Sequence, residues 1–401
     1  MDNIKQMPRD RSRYKQSGTT KTKKTKKTIV YFDYSLLAVI IFLVCFGLVM
    51  LYSTSAYSSL VKYGDSMHYF KRQALFCIVG FVIMYFVSKI DYHIYAKYAK
   101  YIYGFAIFMM ALVQTPLGIE VNGARRWIRL PFNQQLQPAE IAKIAVILFI
   151  PVVVCKMGKE INSLKGVVRV LFWGGISAAC VYFLTENLST AIIVFGISCI
   201  IVFIVHPKTA PFIAIVAGGF AFLIALVKIL GNLIQTSDLG DNFRLRRIIV
   251  WLAPEKHASD WGYQVMQGLY AIGSGGFFGK GLGNSVQKTI IPEVQNDMIL
   301  SIICEELGVF GAIMVLMLFG LLLYRLLFIS QNAPDIYGAL IVAGIFAHIA
   351  LQVILNVAVV INLIPTTGIT LPFVSYGGTS VLFLMTEMGI ALGVSRKIKL
   401  D

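Results

Sequence analysis

The residues best suited to chemistry lie at the end of a long polar segment, where Glu293 and Asp297 directly precede an apolar run. A carboxylate in that place can act as a general base or help to bind a divalent cation such as Mg²⁺ or Mn²⁺. It can also cap the helix that the apolar run predicts, because Asn296 or Asp297 is a natural N-cap residue. The residues alone leave the catalytic, metal-binding and capping interpretations open, and these interpretations are compatible with one another.

Further charged residues flank Asp297 on both sides. Lys280 and Lys288 precede it, whereas Glu305 and Glu306 follow it inside the apolar run. At a rise of about 1.5 Å per residue, the two glutamates would lie roughly 12–14 Å along the helix from Asp297. Neighbouring helical positions point about 100° apart, and a charge at this depth usually faces a polar environment. We therefore expect at least one glutamate to face the protein interior, and a polar cavity to extend inward from Asp297.

The glycine-rich stretch AIGSGGFFGKGLGNS is similar in composition to a nucleotide-binding loop, but it does not satisfy that motif. A phosphate-binding loop requires a glycine five residues before the Gly-Lys pair and a Ser or Thr after it. Ser274 occupies the first of these positions and Gly281 the second, so no nucleotide is expected. The six cysteines fall inside apolar runs without paired spacing, so we expect neither zinc nor haem.

Long apolar runs must position these residues. Hydrophobic residues make up 57% of the chain and charged residues only 14%, which excludes an ordinary soluble domain. Runs of about 20 apolar residues can each cross a bilayer as a helix, which satisfies its own backbone hydrogen bonds. We therefore predict an all-α, polytopic integral membrane protein with about ten transmembrane helices. The predicted spans are residues 35–53, 73–91, 99–116, 140–157, 166–184, 189–206, 210–230, 298–326, 335–361 and 370–394.

The placement of charge predicts the orientation of the chain. Ten Lys and Arg residues lie before residue 28, and basic segments beside membrane helices tend to stay in the cytoplasm. Residues 1–32 are therefore predicted to form a disordered cytoplasmic tail that contacts anionic membrane lipids, and not nucleic acid. No cleavable signal peptide is predicted. The basic residues 397–401 are also predicted to be cytoplasmic, so the long segment 231–297 between the seventh and eighth spans, which includes Asp297, is extracytoplasmic.

A second predicted outer segment, residues 116–139, is unusually basic. Arg125, Arg126 and Arg129 surround Trp127 there. The planar donor fork of arginine suits phosphate oxygens, which favours an anionic ligand. Alternatively, the arginines contact lipid headgroups while Trp127 lies in the interfacial aromatic belt. The residues leave both interpretations open.

A series of motifs resembles those of the SEDS family of polytopic membrane proteins, which comprises FtsW, RodA and SpoVE. A single motif would be weak evidence, but together and in this order they are highly specific and cover nearly the whole membrane part. The GLGNSVQK stretch and the basic tail make the chain most similar to FtsW. The motifs are FKRQ at Phe70–Gln73, NGARRWI at Asn122–Ile128, QPAEIAK at Gln137–Lys143, GKGLGNSVQK and PEVQND within Gly279–Asp297, EELG at Glu305–Gly308 and PTTGITLPFVSYGGTS at Pro365–Ser380.

This resemblance implies a ten-span membrane domain, here residues 33–396, and peptidoglycan glycosyltransferase activity for cell division or cell shape. Such enzymes lie in the bacterial cytoplasmic membrane and polymerise lipid II, a disaccharide-pentapeptide on undecaprenyl pyrophosphate, into a nascent glycan strand. They work with a class B penicillin-binding transpeptidase and with other divisome or elongasome membrane proteins. Asp297 matches the family's essential acidic residue. The resemblance and the charges around Asp297 together yield a set of expected substrate-binding residues: Arg72, Arg126, Trp127, Gln137, Lys143, Lys280, Lys288, Glu293, Glu306 and Ser375.

The implied reaction begins when an acceptor hydroxyl attacks the anomeric carbon of the donor. The anomeric centre inverts and undecaprenyl pyrophosphate leaves, with Asp297 as general base or metal ligand. One alternative is a lipid II flippase, which would use mid-membrane charges such as Glu306 and Lys143. Another is a non-catalytic scaffold for a transpeptidase. The chain departs from the family once, where TENLSTA replaces a pattern like QPDLGTA, so that Asn187 stands in place of the usual Asp with Glu186 beside it.

Overall fold

The structure, a computed structural model, describes residues 31–121, 124–130, 134–214, 218–219, 243–259 and 262–399. Long helices dominate it, because an apolar segment satisfies its backbone polar groups internally only as a helix or in a closed sheet. The helices are α1 (Tyr34–Tyr63), α2 (His68–Val87), α3 (His93–Leu112), α4 (Pro138–Met157), α5 (Leu164–Thr185), α6 (Leu188–Val205), α7 (Phe243–Leu252), α8 (Tyr263–Gly275), α9 (Ile299–Asn332), α10 (Ile336–Val360) and α11 (Thr379–Ser395).

Seven helices in the described part of the chain are long and apolar enough to cross a membrane, namely α1, α2, α4, α5, α6, α9 and α10. The predicted third and tenth spans coincide with α3, which carries Lys97 and Lys100, and with α11, which has only 17 residues. The predicted seventh span, 210–230, lies mostly outside the described residues, as does nearly all of the predicted tail. The polytopic all-α prediction is confirmed.

The central helix α10 holds the segment that connects it to α11. Its polar side chains His348, Gln352 and Asn356 are all buried. The Gln352 amide donates to Thr370 O at 3.0 Å, and the Asn356 amide donates to Ile369 O at 2.7 Å. Burying these amides without partners would be costly, so the contacts fix the connecting segment, residues 361–378, against the helix.

The two described ends of the chain lie at the same end of the bundle, which we call the terminal end. Asp33 caps α1 by accepting from Leu36 N at 2.8 Å, and its carboxylate pairs with Arg325 of α9 at 2.7 Å. The Arg396 guanidinium lies 5.1 Å from the centroid of the Phe32 ring. This arrangement is what an even number of membrane crossings produces. The opposite end is called the Asp297 end.

The predicted outer segment 116–139 contains a small antiparallel sheet that the sequence did not reveal. Strands β1 (Gly118–Val121), β2 (Ala124–Leu130) and β3 (Gln134–Leu136) lie in that order. The register shifts between Ile119 and Glu120, so that Trp127 lies opposite Ile119 and Arg125 lies opposite Glu120. Arg126 is consequently the extra residue of a β-bulge, a feature that often redirects a side chain beside a functional site.

The helix α9 is interrupted, although the sequence predicted one continuous span at 298–326. Gly308 has φ 70° and ψ −170°, which no helical residue adopts. A Cβ at this position would lie 2.3 Å from Phe277 O. The break therefore allows the segment after α8 to approach the α9 backbone closely, which only a glycine permits.

Candidate functional site

Asp297 lies just before α9, but it does not cap that helix. The N-cap is Met298, which makes no side-chain cap hydrogen bond, so the predicted capping role of Asn296 or Asp297 is wrong. The Asn296 amide instead donates to the Glu293 carboxylate at 3.1 Å. The Asp297 carboxylate accepts a long hydrogen bond from Gln264 Nε2 of α8 at 3.4 Å. The Asp297 side chain is therefore available for a role other than capping.

A central amide fixes the backbone of Asp297. Asn356 Nδ2 of α10 donates to Asp297 O at 2.9 Å and also to Ile369 O at 2.7 Å. Tyr376 N–H donates to Gln295 O at 2.9 Å, two residues before Asp297. The segment that carries Asp297 is thus bonded to α10 and to the segment 361–378, which together hold it at the end of the bundle.

The electrostatic environment of Asp297 favours proton acceptance. The carboxylate keeps partial contact with solvent, but the surrounding protein desolvates it, and this burial raises its pKa. The Arg247 guanidinium opposes the increase, whereas the Glu293 carboxylate adds to it. A carboxylate with a raised pKa is a stronger base than an exposed aspartate and is better suited to general base catalysis.

Arg247 is a site residue that the sequence reasoning missed. It lies on α7, within the predicted outer segment 231–297, and its Nη1 donates to Thr366 O at 3.0 Å. Burial lowers its pKa, the Arg126 guanidinium lowers it further and Asp297 opposes the decrease. Trp251, on the same helix, donates to Asn362 O at 3.1 Å. The RLRR run of α7 was the available signal, since clustered arginines suit anionic groups.

The sheet brings the predicted Arg126 toward the same region. Arg126 Nη2 donates to Glu186 O at 3.3 Å, at the end of α5, and the neighbouring Trp127 is partly buried on β2. The Arg126 guanidinium acts electrostatically on Arg247, which in turn acts on Asp297. Two guanidinium groups that repel each other in this way suit the binding of a multiply charged anion.

The departure from the family pattern has a local structural explanation. Asn187 is the N-cap of α6, and its Oδ1 accepts from Thr190 N at 3.1 Å. Glu186 has φ 49° and ends α5 in the left-handed region. Asn and Asp cap helices about equally well, so the exchange preserves the cap, and no catalytic role for this position is needed.

The two lysines of the predicted site bind the buried glutamates of α9. Lys280 Nζ lies 2.6 Å from Glu305 Oε1, and Lys288 Nζ lies 3.1 Å from Glu306 Oε1, with both glutamates fully buried. Ser53 Oγ of α1 also lies 2.7 Å from both Glu306 carboxylate oxygens. The prediction that a glutamate faces inward is confirmed. The predicted polar cavity is not: at these two carboxylates, the segment 279–288 occupies the space with its own donors.

The connecting segment, residues 361–378, carries Ser375. The Ser375 side chain supports the local geometry of that segment. Ser375 is buried, and its Oγ accepts from Leu371 N at 2.8 Å. Gln73, at the start of α2, donates to Ser375 O at 3.4 Å and accepts from Gly378 N at 3.2 Å. The adjacent Arg72 donates instead to Gln134 Oε1 of β3 at 2.8 Å. These polar residues therefore connect α2 with the connecting segment 361–378 and with the sheet.

Gln137 and Lys143 lie at the start of α4. Gln137 is its N-cap residue, in an extended conformation and without a side-chain cap hydrogen bond. The Lys143 ammonium lies 2.9 Å from the Glu140 carboxylate, with side chains only 3% and 9% exposed. Glu140 was not predicted as a site residue, although the spacing of three residues places the two charges on one helical face. The charge of Lys143 is consequently neutralised within its own helix.

The residues around Asp297 do not form a complete protein site for the expected divalent cation. Among the described residues, no three His, Cys, Asp or Glu side chains come together as potential ligands. The Glu293 carboxylate raises the pKa of Asp297, whereas the Arg247 guanidinium lowers it and supplies positive charge beside this carboxylate. Mg²⁺ is usually held by one or two carboxylates together with substrate phosphates and water. Asp297 and Glu293 are the carboxylates that would hold such an ion together with substrate phosphates and water.

Comparisons with known proteins agree with this arrangement. The family described as "Cell cycle protein", that of FtsW, RodA and SpoVE, matches residues 34–400. Stage V sporulation protein E of Bacillus subtilis is 37% identical over 377 residues, which cover 93% of this chain and 98% of that protein. A probable peptidoglycan glycosyltransferase FtsW of a Geobacter species is 33% identical over 375 residues, which cover 92% of this chain and 98% of that protein.

Solved structures show the same fold. A chain from the work "Structural coordination of polymerization and crosslinking by a peptidoglycan synthase complex" superposes with a TM-score of 0.74 at 25% identity, covering 92% of this chain and 99% of that chain. The rod shape determining protein RodA of Thermus thermophilus superposes with a TM-score of 0.64 at 23% identity, covering 92% of this chain and 98% of that chain.

Proposed function

The chain belongs to the cell cycle protein family of FtsW, RodA and SpoVE, and on this premise we propose that it is a peptidoglycan glycosyltransferase that polymerises lipid II for cell division or cell shape. Its relatives include proteins named probable peptidoglycan glycosyltransferases. The observation that carries the proposal is the environment of Asp297. There, burial raises the pKa of a carboxylate on which the Arg247 guanidinium acts, so that a base and a cation suited to an anion lie in one region.

In the proposed reaction, Asp297 accepts a proton from the acceptor and the arginines stabilise the leaving group. The acceptor sugar hydroxyl transfers its proton to the Asp297 carboxylate as its oxygen bonds to the anomeric carbon of the donor. The bond from that carbon to the phosphate oxygen breaks, and undecaprenyl pyrophosphate leaves with the electron pair. Arg247 and Arg126 stabilise the charge that develops on the pyrophosphate. Attack opposite the leaving group inverts the anomeric centre.

The orientation of the protein follows from its charge. The terminal end carries Lys397 and Arg396 and continues into the basic residues before position 28. Basic segments beside membrane helices favour the cytoplasmic side. We therefore place the terminal end in the cytoplasm and Asp297 on the outer face of the cytoplasmic membrane, where the glycan strand grows.

A transpeptidase partner fits the same proposal. One structural neighbour comes from a peptidoglycan synthase complex that coordinates polymerisation with crosslinking. A polymerase that releases glycan strands needs a crosslinking enzyme close by. We propose a class B penicillin-binding transpeptidase as the partner that supplies this activity.

The decisive experiment measures lipid II polymerisation by the purified Asp297→Asn variant. General base catalysis contributes about 10²- to 10⁴-fold in rate, so we expect a loss of that order. Asp65→Asn is the matched control, because Asp65 is an exposed aspartate that pairs with Lys71 at the surface. Polymerisation by Asp297→Asn at the parent rate would exclude Asp297 as the base.

Two additions to this assay test the other candidate roles. Activity that is lost with EDTA and restored by Mg²⁺ would show that the reaction needs a divalent cation and would favour a metal ligand role for Asp297. Translocation of lipid II across vesicles without polymer would favour the flippase. The charges that a flippase would use, Lys143 and Glu306, are already engaged by Glu140 and Lys288, which favours the polymerase.

A further inference from the structure

The segment that follows α8 carries a row of exposed apolar side chains. Phe277 is 59% exposed, Phe278 78%, Leu282 53% and Val286 57%. In a water-exposed loop these side chains would forgo about 1.5–3 kcal/mol each of burial free energy. Contiguous exposed apolar surface of this kind marks a site of contact with membrane or protein.

The one charged residue of this segment bonds toward the protein interior. Lys280 is the only charged residue within residues 276–286, and its ammonium group donates to the fully buried Glu305 carboxylate at 2.6 Å. Asn284 is exposed, and its Nδ2 donates to Lys280 O at 3.1 Å. The charge of the segment is therefore directed at a buried carboxylate, which is how charged residues are accommodated at membrane depth.

Several backbone groups of the segment are also satisfied by protein. Lys280 N–H donates to Glu305 O at 2.9 Å, and Phe310 N–H donates to Phe277 O at 3.1 Å. These bonds join the segment to the two sides of the break at Gly308. Irregular backbone is tolerated inside a bilayer only where protein or water satisfies its hydrogen-bonding groups.

The helical rise indicates how deep the segment lies. Arg325 pairs with Asp33 at the terminal end, and Phe310 precedes Arg325 by 15 residues (325 minus 310) in the part of α9 after the break. At about 1.5 Å per residue, this separation is about 22 Å. The hydrocarbon layer is about 30 Å thick. With the Arg325–Asp33 pair taken as the edge of the hydrocarbon layer at the terminal end, Phe310, and Phe277 bonded to it, lie about 8 Å inside the layer when measured from the Asp297 end.

We infer that residues 276–286 form a re-entrant segment that enters the hydrocarbon layer from the Asp297 end, with Phe277, Phe278, Leu282 and Val286 in contact with lipid acyl chains. The apolar side of the segment continues onto the exposed face of α9, since the Phe278 and Phe310 ring centroids lie 6.5 Å apart. The predicted extracytoplasmic loop, residues 231–297, is consequently part intramembrane and part aqueous.

A tryptophan at position 278, where Phe278 is the most exposed of the four apolar side chains, tests this placement. The full-length Phe278→Trp variant is reconstituted alone into phosphatidylcholine vesicles whose acyl chains carry bromine at one chosen carbon, since bromine quenches nearby tryptophan. Met317→Trp, on the exposed face of α9, is the control within the bilayer. Lys256→Trp, at an exposed position in the 3-10 turn Pro254–His257, is the control in water. The fluorescence of the parent protein is subtracted in every case.

We expect the fluorescence added by Phe278→Trp to be quenched most by bromines near the headgroup, and that of Met317→Trp to be quenched most by bromines nearer the chain ends. The emission of Phe278→Trp should also be blue-shifted relative to Lys256→Trp. Quenching of Phe278→Trp no greater than that of Lys256→Trp would overturn the inference. Phe277→Trp provides a second reading at the neighbouring exposed position. Neither reading depends on enzymatic activity, so the result is independent of the proposed function.

Discussion

Replacing Gly308 by alanine should destabilise the contact between α9 and the segment that follows α8. With φ 70° and ψ −170°, Gly308 occupies a region that is essentially restricted to glycine, where another residue costs about 1–3 kcal/mol. The new Cβ would lie 2.3 Å from Phe277 O and 2.5 Å from Gly279 N. Because both neighbours are backbone atoms, the segments would have to separate, and such overpacking costs a further 1–3 kcal/mol or so. The expected total is roughly 2–6 kcal/mol.

Thermal unfolding of the purified protein in one detergent measures this loss. Gly320→Ala is the matched control, because Gly320 lies in the same helix and a Cβ added there would meet no other described segment within 4 Å. Alanine there should be neutral or stabilising by up to about 1 kcal/mol. At about 2.1 cal/mol/K of unfolding entropy per residue, a loss of 1 kcal/mol lowers the Tm of this 401-residue chain by about 1 °C, so Gly308→Ala should unfold at least about 2 °C below the parent. Equal Tm values for Gly308→Ala and Gly320→Ala would refute the reasoning.

Three further predictions concern charge and capping. Burial raises the pKa of Asp297 while Arg247 lowers it; if Asp297 acts as the base, Arg247→Ala should therefore move the acid limb of the pH–rate profile to higher pH, and an unmoved limb would contradict this coupling. Lys288→Met removes the cation beside the fully buried Glu306, which should cost up to about 3–5 kcal/mol in unfolding measurements, and the double variant with Glu306→Gln should recover part of the loss. No recovery would show that the pair is not coupled. Asn187→Asp should unfold like the parent because the cap is preserved, whereas Asn187→Ala should lose about 1 kcal/mol; equal stability of the two variants would contradict the capping role.

Several features of this protein were predictable because they depend on neighbouring residues. Spans of about 20 apolar residues can satisfy their backbone only as membrane helices, so the polytopic architecture follows from hydropathy. Glu305 and Glu306 were predicted to include an inward-facing charge, and both are fully buried, because a charge within an apolar run is costly toward lipid. The family follows from motifs in a fixed order, and the comparison over residues 34–400 confirms it.

Other features depend on segments that meet only in the folded protein. The predicted helix cap is wrong because Asn296 bonds Glu293 and the Asp297 carboxylate is approached by Gln264 of another helix. The electrostatic effect of Arg247 on Asp297 could not be predicted from the sequence, because it depends on the packing of α7 against the segment 361–378.

By itself, therefore, the sequence determined the membrane class, the places of the seven described helices that are long and apolar enough to cross a membrane, and the place of Asp297 beside a helix. The tertiary structure decided the partners of each charge, the break at Gly308 and the environment that raises the pKa of Asp297. Hydropathy is a property of a continuous run of about 20 residues, whereas ion pairing and desolvation depend on which distant segments come within a few ångströms of one another.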